Sequence, residues 1–283
     1  MLEIIKAIIY GIVEGITEWL PVSSTGHLIL AKELIPFVEA RDGFFEMFEV
    51  VIQLGAILAV VVLFWSQIWP FALSKKEREG KTGVMSFVKM DIMTLWFKIL
   101  VSCVPAAVIG ILFDEVFEEL FYNPVCIAIA LIVFGVGFII IENWNKGKEA
   151  KVNGLGELTY QMAVWIGVFQ VIAAVFPGTS RSGATILGAL LIGVSRKVAS
   201  EYTFFLAIPV MFGASLLKLV KFGFDFTGVE IACLLTGSIV AFVVSLFILR
   251  FLLSYIKKHD FKVFGWYRIV LGVVVLAVFG LFL

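Results

Sequence analysis

Charged residues are scarce in this chain of 283 residues. Only 16% are aspartate, glutamate, lysine or arginine, and 22 basic residues balance 22 acidic ones. Without a net charge or a basic tail, the sequence gives no support for nucleic acid as a partner. Hydrophobic residues make up 61%, well above the roughly half that is usual in soluble domains. A soluble fold could not bury that much apolar surface, so we expect a protein of the lipid bilayer.

Cysteine and histidine are also rare. The cysteines at 103, 126 and 233 each lie in an apolar run, where a free thiol behaves as a small hydrophobic side chain rather than as a disulfide partner or metal ligand. His259 stands among lysines and is expected to be solvated. His27 is therefore the histidine of interest.

Six apolar stretches are about 20 residues long, the length that a helix needs to cross the hydrocarbon core. They are 47–66, 94–113, 124–141, 202–222, 229–253 and 264–283. Two further apolar segments, 3–36 and 158–194, are broken by polar runs at 21–27 and 177–183. Because irregular backbone at membrane depth must be covered by protein or line a water-filled cavity, we predict two re-entrant helical hairpins.

The distribution of lysine and arginine predicts the topology. These residues concentrate in the connections 75–89, 146–151 and 257–262, which the positive-inside rule assigns to the cytoplasm. The acidic connection 114–119 is assigned to the outside, as is the first hairpin, and the second hairpin then lies on the cytoplasmic side.

An internal repeat supports this arrangement. A shift of 156 residues pairs Glu14 with Gln170 and Pro21 with Pro177, and likewise Gly11 with Gly167 and Ser24 with Ser180. Each half holds one hairpin and three spans, so the halves enter the membrane from opposite sides. The fold expected over 1–283 is an all-α polytopic membrane domain with an inverted-topology repeat, about 1–141 and about 158–283.

Two glutamates mark the first hairpin. Glu14 and Glu18 are one helical turn apart on the same face. At membrane depth such carboxylates share a proton, face a cavity or hold a cation, and their oxygens suit Mg²⁺ or Ca²⁺. Alternatively, they are solvated at the external interface. Glu49 and Gln53, also four apart, either line the site or serve packing.

The polar run after Pro21 leads into a second helix and presents backbone N–H groups that could cradle an anion. Ordinary capping by serine or threonine is the alternative. His27 could act as nucleophile, as general base for Ser24 or as an acid, so the attacking group is left open. The predicted phosphate-binding residues are Ser23, Thr25, Gly26, Thr179, Ser180, Arg181 and Ser182.

Arg181 lies in the middle of the second hairpin. A guanidinium there needs an anion, and its planar fork suits phosphate. The alternative is an ion pair with Glu14 or Glu18. The predicted catalytic set is Glu14, Glu18, Ser24, His27 and Arg181, with Glu14 and Glu18 as metal ligands.

Residues 14–27, EGITEWLPVSSTGH, and residues 177–183, PGTSRSG, closely resemble the two signature motifs of the bacterial undecaprenyl-diphosphate phosphatase family, also called the bacitracin-resistance family. Similar runs at 48–55 and 204–209 extend the resemblance over nearly the whole chain. It implies an enzyme that hydrolyses undecaprenyl diphosphate to the monophosphate at the external face of the bacterial cytoplasmic membrane. This reaction recycles the lipid carrier for peptidoglycan synthesis and gives bacitracin resistance.

The resemblance also implies roles for the predicted residues. Glu14 and Glu18 would serve metal and proton chemistry, Ser24 and His27 the attack on phosphorus, and Arg181 the phosphate clamp. The expected partners are the bilayer and a polyprenyl diphosphate. The oligomeric state is open, with a homodimer among the alternatives.

Three other classes compete with this interpretation. A flippase or transporter of a phosphorylated polyprenyl lipid would share the inverted repeat, but transport needs no nucleophile. A lipid phosphatase with a phosphohistidine intermediate would need a second histidine after the Ser-Arg pair, where the sequence has only the distant His259. A membrane scaffold would leave Arg181 and the glutamate pair unexplained.

Overall fold

The computed structural model describes residues 1–72 and 84–282, and within them every long element is a helix. The helices are α1 (Leu2–Thr17), α2 (Ser24–Leu34), α3 (Phe44–Val51), α4 (Gln53–Leu63), α5 (Trp65–Ile68), α6 (Met90–Phe121), α7 (Pro124–Trp144), α8 (Tyr160–Val175), α9 (Arg181–Leu191), α10 (Arg196–Phe222), α11 (Gly228–Tyr255) and α12 (Lys262–Phe282). The all-helical class predicted from the sequence is confirmed. Four basic residues used for the topology, Lys75, Lys76, Arg78 and Lys81, lie outside the described residues.

Six helical stretches in the described residues are long and apolar enough to cross a membrane, as predicted. They are Phe44–Leu63, formed by α3 and α4 together, Met90–Phe113, Pro124–Trp144, Arg196–Phe222, Gly228–Tyr255 and Lys262–Phe279. Large apolar side chains on their outer faces, such as Leu58, Val133 and Phe247, are more than half exposed in the isolated chain. Apolar surface on this scale marks contact with lipid rather than water, so the chain is a multi-pass membrane protein.

The acidic residues 114–119 lie between the membrane-spanning stretches that end at Phe113 and begin at Pro124, as predicted, and they are helical, because α6 continues without interruption to Phe121. Glutamate and leucine are good helix formers, and charge alone does not end a helix. The chain instead reverses at Asn123, whose side-chain oxygen accepts a hydrogen bond from the Cys126 N–H at 2.9 Å. Pro124 occupies the first turn of α7, where its missing N–H has no cost.

Small residues allow the helices to approach closely, as small residues do in membrane bundles. Gly11 of α1 faces Gly237 of α11, and Gly15 faces Val244 of the same helix. Gly167 of α8 faces Ser102 of α6 in the same way. These contacts fix α1 and α8, the helices that lead into the two polar runs 21–27 and 177–183, called the first and second break below.

The tightest of these helix–helix contacts, between α4 and α11, can be tested by adding a methyl group. A methyl group on Gly55 of α4 would overlap the Ser238 backbone of α11, whereas one on Gly213 of α10 would meet nothing within 4 Å. We expect Gly55→Ala to destabilise the protein by at least the ~1–3 kcal/mol typical of overpacking, and Gly213→Ala to be neutral or slightly stabilising. Thermal unfolding in detergent measures both, and equal melting temperatures would contradict the packing described.

Candidate functional site

The two breaks have the same local backbone. Ser23 (φ 76°) and Ser180 (φ 69°) are the only non-glycine residues with positive φ in the described part of the chain. Each precedes a helix and accepts a hydrogen bond on its hydroxyl, from the Gly26 N–H at 3.2 Å and from the Gly183 N–H at 3.1 Å. For these two serines the capping alternative is therefore observed, and the surrounding structure must hold their uncommon backbone angles in place.

Glu18 joins the first residues of the two helices that follow the breaks. Its Oε2 accepts a hydrogen bond from Ser24 Oγ at 2.6 Å, and its Oε1 accepts one from Arg181 Nη2 at 2.6 Å. Its backbone carbonyl accepts one from Ser182 Oγ at 3.0 Å. The structure thus brings together three residues of the predicted catalytic set, and the ion pair considered for Arg181 is formed with Glu18.

Arg181 has hydrogen-bond donors that its ion pair with Glu18 does not use. Its Nη1 donates to the Thr203 carbonyl at 3.2 Å, while its buried Nε has no hydrogen-bond partner in the described residues. Thr179, which precedes the capping serine, is fully buried and its hydroxyl is also without a partner there. Two donors beside the second break therefore remain available to a ligand.

Glu14 lies one turn before Glu18 and is completely buried. Neither of its carboxylate oxygens has a hydrogen-bond partner in the described residues. The alternative of two carboxylates solvated at the interface is wrong, since the exposed fractions of Glu14 and Glu18 are 0% and 5%. A buried carboxylate without partners is costly, so Glu14 requires a proton or a cation.

His27 lies one turn after Ser24 but has no hydrogen bond to it. Its Nδ1 lies 2.6 Å from the Ser23 carbonyl oxygen, and its Nε2 lies 2.7 Å from the Tyr267 hydroxyl of α12. Because a carbonyl oxygen can only accept, Nδ1 carries a proton. The side chain that accepts the Ser24 hydrogen bond in this geometry is that of Glu18, not the His27 ring.

Arg268 of α12 was missed by the sequence analysis. Its fully buried guanidinium donates to the Pro21 carbonyl of the first break at 3.1 Å. It also donates to the Gly178 and Thr179 carbonyls of the second break, at 2.8 and 2.7 Å. The signal was available, because an arginine within an apolar span is functional by default, but no motif surrounds it.

A cavity of about 310 Å³ reaches both breaks. Thr25 and Pro177 line it together with Glu49, whose Oε1 accepts a hydrogen bond from Tyr122 at 2.8 Å. Glu49 Oε2 is buried and has no partner in the described residues, so Glu49 presents a free carboxylate oxygen beside this cavity. The remaining walls are mostly apolar: Val50, Phe117, Ala173, Ala174, Val175, Ala214 and Leu217, with Lys218 beside them.

Fold and site together define a multi-pass membrane protein with a buried charged centre between two broken helix pairs. The family model described as bacitracin resistance protein BacA matches residues 7–274, and the chain belongs to this family. The family membership predicted from the two motifs is confirmed.

Several relatives are similar over nearly their whole length. A protein of Desulfitobacterium hafniense named undecaprenyl-diphosphatase is 61% identical over 99% of this chain and 97% of its own. Proteins of the same name from Lachnoclostridium phytofermentans and Enterococcus faecalis are 60% and 58% identical, each over 98% of this chain and 97% of their own.

Substitution of Arg268 tests whether the two breaks need its guanidinium. Arg268→Met would leave the carbonyls of both breaks without donors, and each buried unsatisfied group costs about 1–3 kcal/mol. We expect a lower melting temperature and loss of activity, with Arg268→Lys intermediate. Arg250→Gln, at an exposed position on α11, is the control. A stable and fully active Arg268→Met variant would show that the breaks do not need this guanidinium.

Proposed function

We propose that the protein is an integral membrane phosphatase that hydrolyses undecaprenyl diphosphate to undecaprenyl phosphate and inorganic phosphate. The near full-length relatives named undecaprenyl-diphosphatase support this substrate. The observation that carries the chemistry is the contact of Ser24 Oγ with Glu18 Oε2 at 2.6 Å, beside the Arg181 guanidinium. A hydroxyl on a carboxylate base, next to a phosphate-binding fork, is an arrangement suited to phosphoryl transfer.

Ser24 is the proposed nucleophile. Its oxygen attacks the terminal phosphorus while its proton passes to Glu18 Oε2. The bond from phosphorus to the bridging oxygen breaks, and undecaprenyl phosphate leaves. Water then attacks the phosphoserine and passes a proton to the group that protonated the departing phosphate. The bond from phosphorus to Ser24 breaks, and the serine oxygen recovers its proton from Glu18.

Arg181 is the proposed phosphate clamp. Its Nη2 donates to Glu18, and its Nε has no partner in the described residues. The terminal phosphate would accept hydrogen bonds from this fork and from the Thr179 hydroxyl, which is likewise without a partner among those residues. Donors fixed before the reaction stabilise the charge that develops on the transferred group.

His27 and Tyr267 are the proposed proton donors to the departing phosphate. His27 follows Ser24 by three residues on α2 and so shares its helix face, and the Tyr267 hydroxyl adjoins the ring. In this assignment His27 is catalytic without contacting Ser24.

A divalent cation, Mg²⁺ or Ca²⁺, fits the chemistry of the donor set. The two Glu14 oxygens are buried and have no hydrogen-bond partner in the described residues, and carboxylate oxygens are the hard ligands that such cations prefer. A cation held there would reduce the charge of the bound diphosphate.

The proposed architecture is an inverted repeat with two re-entrant hairpins. Helices α1 and α8 are each 16 residues long, and α2 and α9 are each 11. As α1 packs on α11, so α8 packs on α6, while α7 packs on α12. Exchanging the two halves of the chain would turn the α1–α11 contact into the α8–α6 contact and leave the α7–α12 contact unchanged. This pattern supports about 1–141 and about 158–283 as equivalent units.

The site is proposed to open on the external side of the bacterial cytoplasmic membrane. Tyr122, which lines the cavity, precedes α7, whereas the lysine-rich connection 146–151 follows it. The cavity and these lysines therefore lie at opposite ends of one membrane-spanning helix, and positive residues favour the cytoplasm.

Phosphate release tests the activity. Purified protein with Mg²⁺ or Ca²⁺ is expected to release phosphate from undecaprenyl diphosphate. Arg181→Ala should slow release by roughly the 10²–10³-fold typical of a lost transition-state donor, and His27→Ala should also slow it. Arg250→Gln is the matched control, and melting temperatures exclude misfolding. Lipid transport across vesicles without phosphate release would support a flippase instead.

A trapping experiment tests the nucleophile. Protein quenched in acid during turnover of terminally labelled undecaprenyl diphosphate should carry the label as phosphoserine, and mass spectrometry should locate it at Ser24. The Ser24→Ala variant should carry none and release no phosphate. Label on His27 would assign the attack to the histidine, and full activity of Ser24→Ala would exclude the serine.

A further inference from the structure

We propose that Glu14 and Glu49, rather than Glu14 and Glu18, are the two carboxylates that hold the divalent cation. The inference deepens the proposed function, because it names ligands for the same site. The sequence-based expectation named Glu18 as the second ligand, and this proposal names Glu49 in its place.

Glu18 is a poor ligand because both of its oxygens are engaged. Oε2 accepts from Ser24 and Oε1 accepts from Arg181, each at 2.6 Å. Charge-assisted hydrogen bonds of this length are strong. A cation placed on Glu18 would displace the proposed nucleophile or the proposed clamp from its carboxylate, and it would lie beside the arginine charge.

Glu14 and Glu49 present the free oxygens. Both oxygens of Glu14 and Oε2 of Glu49 have no hydrogen-bond partner within the described residues. Their exposed fractions are 0% and 6%, so water does not replace the missing partners freely. Glu14 follows Tyr10 by one turn on α1, and Glu49 follows Phe48 on α3. The Tyr10 and Phe48 rings lie 5.8 Å apart, so the two carboxylates belong to packed neighbouring helices. Two buried carboxylates in one apolar region repel each other, and a shared cation removes the repulsion.

Tyr122 fixes the orientation of Glu49. Its hydroxyl donates to Oε1 at 2.8 Å, which leaves Oε2 as the free oxygen. Hydrogen bonds from outside the ligand sphere orient metal-binding carboxylates in this way. Tyr122 is therefore a positioning residue in this proposal.

The protein supplies only part of the coordination. Among the side chains that the structure describes, no three histidine, cysteine or acidic groups form a cluster that could hold a metal. Mg²⁺ commonly uses one or two carboxylates and completes its shell with water and substrate phosphate. The cavity that Glu49 lines has a volume of about 310 Å³, room for roughly ten waters or a diphosphate group.

Direct Mn²⁺ binding tests this assignment without turnover. Electron paramagnetic resonance of free Mn²⁺ reports binding to the purified full-length protein, alone and with methylenediphosphonate as a non-hydrolysable diphosphate. We expect Glu14→Gln and Glu49→Gln each to weaken binding by at least the roughly tenfold that loss of an outer-shell partner causes. Glu49→Asp should restore part of the affinity, and Tyr122→Phe should weaken it less than Glu49→Gln.

Glu46→Gln is the matched control. Glu46 lies on the same helix, three residues before Glu49, and pairs with Lys32 at 2.5 Å outside the cavity. It should bind Mn²⁺ as the unmodified protein does. Glu18→Gln should also retain Mn²⁺ affinity while losing phosphatase activity, which separates the cation site from the nucleophile.

Two results would overturn the assignment: unchanged Mn²⁺ affinity in Glu49→Gln, or no bound Mn²⁺ in the unmodified protein with or without the diphosphonate. Loss of Mn²⁺ affinity in Glu18→Gln but not in Glu49→Gln would instead assign the cation to Glu14 and Glu18. Failure of the proposed function gives a different pattern, in which Mn²⁺ binds as expected and undecaprenyl diphosphate releases no phosphate.

Discussion

The buried guanidinium of Arg268 is the contact on which the geometry of the site depends. Each helix break exposes backbone carbonyls that no helix can satisfy, and lipid offers no donors. Arg268 supplies donors to Pro21 on one side and to Gly178 and Thr179 on the other. Because one rigid, planar group bonds to both breaks, their separation is fixed. Ser24 and Arg181 can then meet on a single carboxylate.

This arrangement also leaves one guanidinium of the site without an ion pair. Arg181 is neutralised by Glu18, but the acceptors of Arg268 are carbonyls, and it forms no ion pair with any described residue. A buried cation balanced only by dipoles is costly unless an anion is near. The guanidinium of Arg268 therefore favours an anionic substrate at the breaks, while the cation proposed at Glu14 and Glu49 would offset the charge of those two carboxylates.

Residues that are unusual for their own segment could be predicted from the sequence. Glu18 and Arg181 interrupt apolar runs, and the structure places them in contact as one expected alternative. Contacts between distant segments could not be predicted. Tyr267 meets His27 across 240 residues, and only the packing of α12 brings Arg268 to the breaks. Local spacing placed the connection between residues 113 and 124 correctly, but it did not show that α6 extends through the acidic residues to Phe121.

The two breaks differ in chemistry while sharing a backbone. Ser23 and Ser180 adopt the same left-handed conformation and cap their helices through the same hydrogen bond. The residue that follows each serine is the first of its helix, Ser24 in one case and Arg181 in the other. Both side chains point to Glu18. The same left-handed, helix-capping serine occurs once in each half of the chain. It places a hydroxyl from one half and a guanidinium from the other on one carboxylate, so neither half could form the site alone.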